Sequence, residues 1–198
     1  MVPPYDVLDS MAWDITISAV LLGIAAIRLP YKASKGSVEE DGKNLRKGFA
    51  AAIGLAGMYL FITGVSIGIM WPFSFSGGVY NVLFGGAAAL GGLALLATSV
   101  ALFLNSSLSP VSYFAVVFGL YMALDAYAMM TYGLTSDPNR AFLGYLSVAA
   151  AAFLSVPATH TDNKWLRWLF AVFAFLFAIA WGYQAANFTW GHLKPPAT

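Results

Sequence analysis

Apolar runs of about twenty residues, separated by short polar or Gly/Pro-bearing turns, recur six times along the chain. A helix of that length crosses roughly 30 Å of hydrocarbon. The predicted spans are 8–29, 48–71, 79–104, 110–134, 139–156 and 164–190. Runs such as 49–70 are apolar on every side, which excludes the alternating ten-residue strands of a membrane barrel. The pattern therefore predicts an all-α, polytopic bundle of six transmembrane helices forming one domain over 1–198.

The turns agree with this division. Trp71-Pro72 closes the second span, and Ser76-Gly77-Gly78 reads as a turn. Ser109-Pro110 and Asp137-Pro138 place proline near the starts of the fourth and fifth spans. The longest connection, 30–47, is the one strongly hydrophilic segment. It holds Lys32, Lys35, Lys43, Arg46 and Lys47 beside Glu39, Glu40 and Asp41, and is predicted to be a charged cytoplasmic loop.

Composition strengthens the membrane reading: 60% of residues are hydrophobic and only 10% charged, against about 25% charged in an ordinary soluble domain. Arg28, the five basic residues of 30–47, Lys164 and Arg167 fall on one side of the spans, and Arg140 and Lys194 on the other. Basic residues collect on cytoplasmic loops, so both termini are predicted to be extracytoplasmic. Asp14 within the first span and the positive charge after it reverse the charge order of a secretory leader, so the first span is expected to be retained. A net charge of +1 without a basic face excludes nucleic acid as a partner. The expected partners are the lipid bilayer and other membrane subunits or further copies of the chain.

Intramembrane ionisable residues need a reason, since a charge at mid-membrane costs about 2.5–3.5 kcal/mol on insertion scales. Asp125 lies about fifteen residues, or about 22 Å, into the fourth span and shares a helical face with Tyr121, Met122, Met129 and Tyr132. Asp14 lies two turns into the first span, on a face with Ser10 and Ser18. Tyr80, Asn81, Arg140, Gln184 and Asn187 belong to the same outer half. Together these predict an outward-facing polar pocket floored by Asp125, suited to a cation, a proton or a small polar solute. The competing reading has Asp125 paired with tyrosine hydroxyls, an amide or Arg140, holding helices together.

Catalytic and cofactor signatures are missing from the sequence. There is no H-E-x-x-H and no phosphate-cradling G-K-[ST] loop, and there is no G-x-S-x-G elbow, the one such string, at 64–68, falling inside an apolar span instead of at a strand-to-helix turn. His160 and His192 lie on opposite sides of the predicted membrane, and cysteine is absent, so neither haem nor an imidazole or thiolate metal site is expected. Five of the six tryptophans fall near span ends as interfacial anchors. Gly64 and Gly68 form a G-x-x-x-G pair, and Ala87, Ala88, Gly91 and Gly92 give further small-residue pairs expected to pack against a helix or another subunit.

The run Val-Tyr-Asn-Val-Leu-Phe-Gly at 79–85, the six-span hydropathy and a fourth span carrying Gly119-Leu120-Tyr121 resemble an uncharacterised archaeal membrane-protein family, the domain of unknown function 981. The resemblance implies an archaeal plasma membrane and carries no activity and no catalytic residue. Two functions are compatible with this sequence. One is a noncatalytic accessory subunit of a larger membrane complex, favoured by small size and small-residue faces. The other is a small channel or transporter working through Asp125 and Asp14. The first is preferred, because no Gly/Pro-broken helix pair of the transporter kind occurs.

Overall fold

The computed structural model describes residues 7–29, 37–73, 78–135, 137–161 and 163–193. These form six helices long and apolar enough to cross a membrane, and no strand occurs among them. They are α1 (Val7–Arg28), α2 (Ser37–Met70), α3 (Asn81–Phe103), α4 (Ser109–Tyr132), α5 (Pro138–His160) and α6 (Lys164–Leu193). This is the architecture of a multi-pass membrane protein. Each helix packs on its sequence neighbours, and α6 closes back onto α1, so the six make a ring.

Local chemistry sets the helix ends. Asp137 caps α5 by accepting from the Arg140 N–H at 3.2 Å, with Pro138 in the first turn where its missing N–H is harmless. Gly133, at φ +59°, stops α4 in the left-handed conformation, so the helix ends two residues before the position 134 that the apolar pattern suggests. Two further boundaries depart from prediction. The segment predicted as loop 30–47 is helical from Ser37 onward, extending α2 by eleven residues. Its acids, Glu39, Glu40 and Asp41, stand in the first turns, where the helix dipole favours negative charge, and polarity alone does not make a loop. Residues 30–36, with Lys32 and Lys35, lie outside the described residues. Helix α5 runs past Val156 to His160, because Pro157 removes only one hydrogen bond in the last turn.

The closest seam joins α2 to α3 antiparallel. Gly64 faces Gly85, Gly57 faces Gly92, and the Ser99 hydroxyl donates to the Ala50 carbonyl at 2.6 Å. Both strings, Ala50/Gly57/Gly64 and Gly85/Gly92/Ser99, have a spacing of seven, the repeat that keeps one seam facing its partner. Side chains there are replaced by backbone contact: a Cβ at Gly92 would lie 2.8 Å from the Gly57 carbonyl. Gly68, the other half of the predicted G-x-x-x-G pair, faces open space.

Helix α3 opens with a π-helical turn, Asn81–Gly86. Asn81, 1% exposed, accepts from the Phe73 N–H at 3.0 Å and donates to the carbonyls of Phe73 (2.7 Å) and Gly78 (3.2 Å). The Tyr121 hydroxyl reaches the Val82 carbonyl in the same turn, at 2.8 Å. Any Cβ at Gly86 would collide with that hydroxyl, so glycine is what admits the bond. At the opposite seam, Trp13 Nε1 donates to the Thr189 hydroxyl (2.9 Å), which donates to Asp9 (2.6 Å), tying α1 to α6.

Candidate functional site

The ring is not filled at its centre. A cavity of about 600 Å³ runs inside it, lined from all six helices, and large side chains such as Leu55, Ile69 and Leu124 point outward instead. The space exists because inward positions are small: Ala25 and Ala26 on α1, Ala88 and Gly91 on α3, Ala151 and Ala152 on α5. Volumes of this size are typical of small-molecule sites, which are mostly apolar with a few placed polar groups.

The chamber has two different ends. One is closed by Phe84, Met122, Tyr145 and Trp181. The Trp181 ring packs against Phe84 at 6.4 Å and Tyr145 at 6.0 Å, in edge and tilted arrangements. The other end carries Lys43, Arg46, Arg167, Asn105 and Ser106. Behind the aromatic wall lies a second, smaller cavity of about 100 Å³, lined by Phe84, Tyr145 and Trp181 again and by Thr135, Asp137, Arg140 and Gln184. Three aromatic rings therefore form a partition common to both chambers.

Buried polar groups are nearly always hydrogen-bonded, so orphans call for explanation. Five buried side-chain atoms among the described residues have no partner: Asp14 Oδ2, Ser18 Oγ, Arg46 Nε, Asp125 Oδ2 and Thr135 Oγ1. Ser18 and Arg46 line the large chamber and Thr135 the small one.

The residues predicted to share one polar pocket are dispersed. Arg140 and Gln184 do line the small chamber. Arg140 is ion-paired to Asp137 at 3.0 Å, half-exposed, with its guanidinium 4.2 Å from the Tyr183 ring centre. Tyr80 donates to the Leu134 carbonyl at 2.5 Å and stacks on Phe84. Asn81 spends its amide on Phe73 and Gly78, and Tyr121 its hydroxyl on the Val82 carbonyl. Tyr132 and Asn187 are exposed. Neither aspartate lines either chamber. Asp125 sits within electrostatic reach of Tyr121 and Tyr145 in the α3–α4–α5 sector. Asp14 lies on the α1 face whose Ser10 meets the Tyr59 hydroxyl of α2 at 2.5 Å. Packed apart on opposite arcs of the ring, α1 and α4 do not bring the two carboxylates to one floor. His160 is held at the basic end by Tyr113, 3.0 Å from its Nε2; the side chain of His192 lies outside the described residues.

Sequence reasoning missed the chamber itself. Its signal was present as inward Ala and Gly opposite outward bulk, but small residues usually mean close packing, and only closure of the ring separates the two meanings. Among the described residues no group of three or more His, Cys, Asp or Glu side chains is placed to hold a metal. A family model described as "Protein of unknown function (DUF981)" matches residues 1–195. No curated protein and no solved structure matches the chain.

Proposed function

The chain belongs to this family of unknown function, the domain of unknown function 981, and from that premise we propose that it is a noncatalytic membrane carrier, holding an apolar-chained molecule inside its helix ring. The single observation that carries this reading is the elongated apolar chamber bounded by all six helices of one chain. A cavity formed within one protomer is what a carrier or transporter needs, and an accessory subunit does not require it. The outward faces favour the same choice. Exposed large apolar residues occur on every helix, for example Ile17, Leu55, Val100, Val117, Leu143 and Ile179, as a surrounding lipid annulus demands. A proton or ion path through Asp125 and Asp14 is disfavoured, because neither lines a chamber.

Brominated acyl chains provide the test, since bromine quenches a nearby indole and Trp181 closes the chamber. Protein reconstituted in unlabelled lipid should show saturable quenching by a brominated single-chain fatty acid, and the saturable part should vanish in Trp181→Phe. Quenching that rises linearly with probe, equally in both proteins, would remove the carrier reading.

A further inference from the structure

The chamber is lopsided in charge along its length. Lys43, Arg46 and Arg167 line one end, and no carboxylate among the described residues lines any part of it. Arg167 is committed: its Nε donates to the Ala26 carbonyl at 2.7 Å and its Nη2 to the Leu29 carbonyl, so its charge sits where the α1 dipole is negative. Arg46 is different. Its Nε is buried without a hydrogen-bond partner, and no ion pair to it occurs among the described residues. Its two Nη nitrogens are not among the buried unpartnered atoms and the side chain is only half-buried, so the head reaches toward water as arginines near helix ends do. The Nε buried on the chamber wall is an uncompensated donor, and carboxylates and phosphates are the groups the planar guanidinium fork matches.

Shape adds a second constraint. The lining on α6 runs from Arg167 to Trp181, and on α5 from Tyr145 to Thr159, about 21 Å in each case at 1.5 Å per residue. The chamber of about 600 Å³ is therefore drawn out along the helix axes. That shape suits an extended hydrocarbon chain.

From the juxtaposition of an elongated apolar chamber with the unpartnered Nε of Arg46 at its basic end, we propose that the ligand is a single-chain amphiphile with an anionic head. The head lies on Arg46 and the tail points toward Phe84 and Trp181. This rests on the carrier reading above and adds the head-group chemistry to it. Lys43 and Arg167 contribute positive potential, while Arg46 supplies the open donor.

The test is native mass spectrometry of the full chain in detergent, titrated separately with oleate, oleyl alcohol and inorganic phosphate. Wild type should take up one oleate per chain, with oleyl alcohol bound about tenfold more weakly, the change that losing one charge-assisted contact brings. Arg46→Gln should weaken oleate about tenfold and leave oleyl alcohol unchanged. Arg46→Lys, which keeps the charge, should recover part of the oleate affinity and shows that the site still folds. Equal binding of oleate and oleyl alcohol, or oleate binding indifferent to Arg46→Gln, would overturn the head-group site while the chamber reading stands. Uptake of neither lipid would overturn the chamber reading itself. Inorganic phosphate bound as tightly as oleate would identify a free-anion site and overturn the amphiphile.

Discussion

Individual residues in this protein do their work by being small or by being fully bonded. At Gly64 an added Cβ would meet backbone atoms of Gly85, Ala88 and Ala89, which cannot rotate away. Gly64→Val should therefore lower stability by about 1–3 kcal/mol, the usual cost of overpacking, and reduce the melting temperature in detergent. Gly68→Val is the matched control and should be near neutral, since nothing lies within 4 Å of its added Cβ. Equal effects at the two positions would reject the α2–α3 register that pairs Gly64 with Gly85. Asn81→Ala removes the three hydrogen bonds of a buried amide, to the Phe73 N–H and to the carbonyls of Phe73 and Gly78, and should cost about 1–3 kcal/mol; thermal melting reads this too. Asp125 is the opposite case. One of its carboxylate oxygens is buried without a partner, so Asp125→Asn should leave melting temperature and oleate binding unchanged or raise the former. Loss of ligand binding in that variant would return Asp125 to the site.

At the level of elements, the π turn at the start of α3 meets α4 through a backbone carbonyl and α6 through an aromatic ring. Tyr121 of α4 bonds the Val82 carbonyl, and Phe84 from the same turn supplies one ring of the partition. π turns occur frequently at functional sites. Tyr121→Phe removes one hydrogen bond and should cost about 1 kcal/mol. Gly86→Ala should cost more, because the methyl group displaces the tyrosine as well. The reverse order in thermal melts would show that Gly86 tolerates a side chain and that the Tyr121 bond is not what glycine protects. Helix α2 shows a second feature of this scale. Its first turns are polar and its remainder apolar, so it carries Lys43 and Arg46 out of the apolar band to the mouth of the chamber.

For the molecule as a whole, ring closure creates the site. Six helices packed chiefly on their neighbours, with small residues inward, leave their common centre unfilled. The aromatic partition then divides the space into a long apolar chamber and a small polar one. Trp181 is 7% exposed and forms much of that wall. Trp181→Ala should cost about 3–5 kcal/mol as a core truncation and should move the preferred ligand to longer chains, because the end wall recedes. A series of saturated fatty acids scored by native mass spectrometry checks this. An unchanged preference would mean that the chamber ends elsewhere.

Fold class, the number and approximate limits of the helices, and the family were all legible along the chain, because hydrocarbon thickness forces runs of a fixed length and each run is a local property. Arg140, Gln184 and the small-residue faces also stood out there as positions needing an explanation. What those positions do came from the packing of helices against one another. Asp14 and Asp125 share a depth but not an arc of the ring, and depth along a helix follows from residue counting whereas arc depends on which helices meet. The same ambiguity hid the chamber: an inward alanine reads identically whether a neighbouring helix or a bound chain occupies the space in front of it. Closing α6 onto α1 removes that ambiguity. It leaves Arg46 at the one basic end of an apolar space, a relation between separate helices that no local pattern contains.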